Sequence, residues 1–93
     1  MKKITLFYLA DCPYCHKARK ALTELEAEKP AYREIEVEWI EESRQPELVK
    51  GHDYWYVPSM FAGDKKLYEA HPSEDYAACK ANVRKALDTV LAG

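Results

Sequence analysis

The stretch Cys12-Pro13-Tyr14-Cys15-His16 carries the chain's most reactive side chains, and its spacing answers to two chemistries. As C-x-x-C-H it is the attachment signature for a c-type haem; as C-x-x-C it is a redox dithiol. A haem would take His16 as one axial ligand and Met60 or His71 as the other, and in most settings it requires export to an attachment system. Structural zinc wants four ligands, commonly two such pairs, and beyond the motif only Cys79 and scattered histidines remain. The dithiol reading has a positional reason. The motif joins an apolar stretch to an amphipathic one, so Cys12 stands just before the first helical residue. There it faces unpaired backbone N–H groups and a partial positive charge of roughly half a unit. That setting favours a thiolate, the attacking species, and Lys17 and Lys20 on the following turns can add to it. Cys15, one turn in and on the core side, is more sheltered. Cys12 therefore attacks and Cys15 resolves.

Strand and helix signals alternate around this motif. Lys3 to Leu9 (KITLFYL) is short, β-branched and aromatic, and too continuously apolar for a strand with one wet face, so it belongs at the centre of a sheet. From Pro13 to about Lys29, Cys15, Ala18, Leu22 and Leu25 recur at helical intervals, with charged residues between them. Pro13 suits the first turn. Tyr32 to Trp39 alternates as a strand whose glutamates face solvent, and Glu41 to Lys50 reads as a short helix with Pro46 inside it. Tyr56 to Ala62 and Lys66 to Glu69 are strands joined at Gly63-Asp64, which makes a hairpin. Ser73 can cap a last helix marked by Tyr76, Cys79, Val83, Leu87 and Val90. The order is β-α-β-α-β-β-α: an α/β fold with a four-stranded mixed sheet and helices on both faces.

Ninety-three residues accommodate a single domain, 1–93, with one core. A hydrophobic fraction of 47% with 32% charged residues is that of a globular chain. A net charge of -2 gives no electrostatic reason to expect nucleic acid or anionic lipid as a partner. Ile4 to Ala10 is short, contains Thr5 and Tyr8 and ends at Asp11, which suits a buried strand better than an export signal, and no apolar run is long enough for a membrane span. The expectation is a cytoplasmic monomer whose odd cysteine count divides into one working pair and a bystander.

With C-P-Y-C at the strand-to-helix turn and Val57-Pro58 at a later strand start, the chain resembles the glutaredoxins, and its element order is similar to the thioredoxin fold throughout. The resemblance implies a cis bond before Pro58, with Val57 presenting its backbone N–H and C=O beside Cys12 so that a substrate pairs as an added strand. It implies thiol–disulfide exchange by Cys12 and Cys15 with no bound cofactor, on a protein disulfide or a glutathione mixed disulfide, glutathione being the co-substrate. Tyr8, Asp11, Pro13 and Tyr14 then line or support the approach to Cys12. Tyr56, Val57, Pro58, Ser73, Glu74 and Asp75 fall at the substrate side, the last three where the family holds the γ-glutamyl end.

The chain also departs from the family pattern. Leu9 replaces the Lys or Arg that pairs with a glutathione carboxylate, and His71-Pro72 stand in place of a Gly-Gly pair. Tyr56 lies in a bulky cluster, Tyr54-Trp55-Tyr56, which is either core packing or an apolar wall favouring a protein substrate. Asp11 puts a carboxylate beside the nucleophile and would oppose a thiolate unless it pointed to solvent. Cys79 reads as a small buried hydrophobe. Two further readings follow: a thioredoxin-like reductant recycled by a thioredoxin-reductase-type flavoenzyme, and a binding protein in which two chains hold an iron–sulfur cluster through Cys12 and glutathione.

Overall fold

The structure is a computed structural model that describes residues 2–93. Its strands are β1 (Lys2–Tyr8), β2 (Ile35–Glu41), β3 (Ser59–Ala62) and β4 (Lys65–Glu69), and its helices are α1 (Pro13–Glu28), α2 (Pro46–Val49) and α3 (Tyr76–Ala92). They form one mixed sheet in the order β2-β1-β3-β4, with β1 parallel to β2 and antiparallel to β3, and β3 antiparallel to β4. The continuously apolar β1 is central, as its composition requires. Ile4 and Leu6 pack towards α1 and α3 while Phe7 packs on the opposite face.

The two faces are covered unequally. Both long helices lie on one side, where Ala18, Ala21, Leu22 and Leu25 of α1 meet Cys79, Val83, Ala86 and Leu87 of α3. On the other side a smaller cluster of Phe7, Ile40 and Phe61 is roofed by Val49 of α2 and by Tyr54 and Val57. Phe7 and Tyr54 stack with ring centroids 5.1 Å apart, and Phe61 meets Phe7 edge-on at 5.8 Å. Val57, at the end of that roof, thus rests on the sheet face away from the long helices.

Several boundaries differ from the sequence reading for local reasons. β1 ends at Tyr8, leaving Leu9 in the loop before the motif. Pro30 opens a 3₁₀ turn over Pro30–Glu34, so Tyr32 is buried in that turn and gives its hydroxyl to Asp88 at 2.6 Å, and β2 begins only at Ile35. Glu41 closes β2 instead of starting a helix. Pro46 lacks an N–H and so opens the one-turn α2 rather than lying within it. β3 starts at Ser59, because the backbone of Tyr56 is bonded to side chains and not to a neighbouring strand. The hairpin turn has Gly63 at φ +59°, where a side chain would be strained. Asp75, not Ser73, caps α3: its Oδ1 accepts from the Ala78 N–H at 2.8 Å.

Candidate functional site

Cys12 is the residue immediately before α1, in extended backbone conformation, and its carbonyl receives the Cys15 and His16 N–H groups at 3.1 and 3.2 Å. Its Sγ accepts the Cys15 N–H at 3.3 Å, so a side-chain sulfur fills the capping position that a Ser or Asp oxygen usually holds. As a thiol, the same sulfur donates to the Val57 carbonyl at 3.6 Å. Ionised, it can only accept, and the Cys15 N–H is already aimed at it. Pro13 occupies the first helical position, where its missing N–H costs nothing.

Cys15 is only 5% exposed. Burial, and then the hydrogen bond with Cys12, push its thiol up to about 12. The two cysteines are free, and their environments separate an accessible sulfur from a withheld one. Cys79 is also free and buried; it lies 3.6 Å from the Tyr68 hydroxyl, inside the α3 packing.

A groove of about 290 Å³ opens beside Cys12, lined by Leu9, Ala10, Asp11, Glu41 and Ser43. Asp11 is exposed and makes no hydrogen bond or ion pair among the described residues. Glu41 was missed by the sequence reading. It is nearly buried and accepts the Ser43 N–H at 2.9 Å and the Ser43 hydroxyl at 2.5 Å, bonds that hold its carboxyl below the usual range. The Glu-x-Ser spacing of a carboxylate closing a turn was the available signal. Behind the motif, Tyr8 and Cys15 share a second, smaller cavity with His16, Arg19 and Trp39. Tyr8 meets Trp39 edge-on at 5.6 Å.

The segment 54–58 meets the motif at Val57, whose carbonyl accepts the Cys12 thiol. The Val57–Pro58 bond is cis, and Pro58 is buried while Val57 is partly exposed. Trp55 and Tyr56 are 88% and 51% exposed, so of the aromatic cluster only Tyr54 serves as core. Tyr14 bridges from α1 to the other loop by donating its hydroxyl to the Pro72 carbonyl.

The three residues before α3 do not act as a group. Ser73 is exposed and makes no side-chain bond among the described residues, and Asp75 is committed to the cap. Glu74 is turned inward, 9% exposed, with one carboxylate oxygen bonded to Tyr68 and the other accepting from Asn82 at 2.9 Å. Glu74 is therefore a core acid, removed from the ligand-facing set the sequence assigned. Among the described residues, no three His, Cys, Asp or Glu side chains gather as a metal site, and no helix is long and apolar enough to cross a membrane.

A mixed sheet with a Cys-x-x-Cys pair at the β1–α1 junction, faced by the residue before a cis-proline, places this molecule in the thioredoxin-like class. Within that class, the family model described as Glutaredoxin matches residues 4–66, a span that runs from β1 through Cys12, Cys15 and Pro58 into β4. The chain belongs to the glutaredoxin family, a family of thiol–disulfide oxidoreductases. A search of curated proteins returns no match.

Proposed function

We propose that this protein is a cytoplasmic, monomeric dithiol reductase that acts on protein disulfides or glutathione mixed disulfides. The observation that carries the reading is the place of Cys12: its sulfur caps a helix and lies 3.6 Å from the carbonyl of Val57. A substrate strand paired with Val57 brings its disulfide to that sulfur. Cys12 thiolate attacks one substrate sulfur, a Cys12 mixed disulfide forms, and the other sulfur leaves as a thiolate. Cys15 then loses its proton and attacks the Cys12 sulfur, releasing the second substrate thiolate. Two electrons have passed to the substrate and the Cys12–Cys15 disulfide remains. Glutathione can take the place of Cys15 in the second step. The dithiol carries the electrons, and no bound cofactor enters the scheme.

The exposed Trp55 and Tyr56 favour an extended protein segment over a tripeptide, since they offer broad apolar area beside the pairing edge. A second reading concerns the electron donor. Leu9 offers no cation, and both oxygens of Glu74 are taken by Tyr68 and Asn82, so two expected glutathione anchors are missing. These two observations favour recycling by a thioredoxin-reductase-type flavoenzyme. The iron–sulfur reading has no comparable support.

The test is to oxidise the protein and offer it reduced glutathione or, separately, a thioredoxin reductase with NADPH, following free thiols. The mass of a Cys15→Ser variant is read in parallel. Reduction by the flavoenzyme with little by glutathione is the expected result for the second reading. Efficient glutathione reduction, with one tripeptide trapped on Cys12, assigns glutathione as donor. Failure of both donors, with no adduct on Cys12, would remove the reductase reading.

A further inference from the structure

Glu69 ends β4 and pairs across the hairpin with Ser59, the first residue of β3. From there its side chain reaches the loop that leads into Val57. One oxygen, Oε2, accepts the N–H of Trp55 at 2.6 Å and the N–H of Tyr56 at 2.8 Å. The other, Oε1, receives the Lys66 ammonium at 2.7 Å. Successive backbone N–H groups converging on one point form an anion-binding concavity, and here the anion belongs to the chain itself. Hydrogen bonds of this type, with a charged acceptor, are roughly twice as strong as neutral ones.

The rest of the segment is tied on either side of Val57. The Ser59 hydroxyl donates to the Tyr56 carbonyl at 2.5 Å, and the Ala70 N–H donates to the Pro58 carbonyl at 3.0 Å. Val57 N–H has no partner among the described residues, and its carbonyl faces Cys12. The backbone groups on both sides of Val57 are spoken for, while the Val57 N–H is unpaired among the described residues and its carbonyl holds only the Cys12 thiol. The side chains of Trp55 and Tyr56 stand largely in solvent, so packing holds their backbone weakly. Between the core-packed Tyr54 and Val57, the Glu69 carboxylate is what the Trp55 and Tyr56 N–H groups bond to.

We infer that Glu69 is the positioning residue of the substrate-pairing wall, setting the Trp55–Tyr56 backbone so that Val57 meets an extended substrate while the substrate's disulfide meets Cys12. The inference rests on the dithiol reading above. It separates two kinds of substrate: a peptide disulfide long enough to pair with Val57 depends on Glu69, and a small disulfide that reaches only Cys12 does not.

The experiment uses the full chain with Cys15→Ser, so that attack by Cys12 is read in a single turnover as mixed-disulfide mass. Glu69→Ala and Glu69→Gln are compared with the parent on 2-hydroxyethyl disulfide and on a peptide of about ten residues carrying its disulfide in an extended segment. Amide hydrogen exchange at Trp55 and Tyr56 is measured on the same proteins. With Glu69→Ala the peptide rate constant falls about tenfold while the small-disulfide rate stays within about twofold. Glu69→Gln restores most of the peptide rate, because one amide oxygen can accept both N–H groups as Oε2 does. The two amides exchange faster in Glu69→Ala and recover in Glu69→Gln. An unchanged peptide rate despite faster amide exchange overturns the positioning role, as does a parallel fall with both substrates. A parent inert to both disulfides overturns the dithiol reading instead, and the amide exchange still reports whether the clamp exists.

Discussion

The backbone of the wall that carries the two cysteines is held by its own neighbours, with only the Tyr14 and Cys12 side chains reaching distant residues, whereas the wall that carries Val57 is held from elsewhere in the chain. Cys12 gives its N–H to Leu9 and receives those of Cys15 and His16, so its backbone is fixed by bonds within Leu9 to His16, and its sulfur adds one to Val57. Val57 is placed by Glu69 and Ala70 across a hairpin and by the aromatic shelf of Phe7 and Phe61 beneath it. On the proposed reading, disulfide exchange rests on a short segment and substrate pairing on contacts between distant segments. One wall can fail without the other.

The largest effect should come from the first wall. Cys12→Ser removes the accessible sulfur and is expected to lower disulfide exchange by roughly 10³-fold or more with every substrate, small or large. Cys15→Ser should leave the first step intact and accumulate a mixed disulfide on Cys12, visible by intact mass. Comparable attack through Cys15 in the Cys12→Ser variant would contradict the division of roles, because that thiol is buried and pushed up to about 12.

The second wall is probed from below. Phe7 and Leu6 are adjacent, fully buried and on opposite sheet faces, Phe7 under Val57 and Leu6 under the long helices. Phe7→Ala should cost about 3–5 kcal/mol and Leu6→Ala about 2–5 kcal/mol in urea unfolding. At a temperature where both variants remain folded, only Phe7→Ala should slow exchange with a peptide disulfide relative to a small one. Equal slowing by the two would show that the shelf has no special relation to Val57.

The same contrast explains what the sequence made legible. The central place of β1, the amphipathic α1 and the cysteine motif each follow from residues close in sequence, and the structure has them where hydrophobic spacing puts them. Two side chains whose settings the sequence hid depend on residues far apart. Glu74 looks like a surface acid because its partners, Tyr68 and Asn82, are brought to it only when α3 packs on β4. Glu69 looks like the wet end of a strand because nothing near it in sequence announces the Trp55 and Tyr56 N–H groups. The cap of α3 is an intermediate case: Ser73, Glu74 and Asp75 are all adjacent to the helix. Apolar spacing that begins at Tyr76 favours the acid directly before it, which is the one the fold uses.

The smallest effect concerns the charge on Glu69, and its sign can be worked out. Burial acts to raise this carboxyl, but the Lys66 ammonium and the two N–H groups outweigh it, so the folded value lies below the ordinary 4.5. A group depressed in the folded state binds fewer protons there than in the unfolded chain. Its stabilisation is therefore present above the unfolded value and is lost as pH falls through the folded one. The stability difference between the parent and Glu69→Gln should stay constant near neutral pH and shrink as pH falls below about 4.5. Its size is about 1 kcal/mol or less, because the site is partly solvated, and it should diminish with added salt. Subtracting the variant removes the similar acid response of Glu24 and Glu41, whose carboxyls are also depressed. A difference that persists unchanged well below that range would mean the wall is held by the geometry of an acceptor oxygen alone, with the negative charge adding nothing.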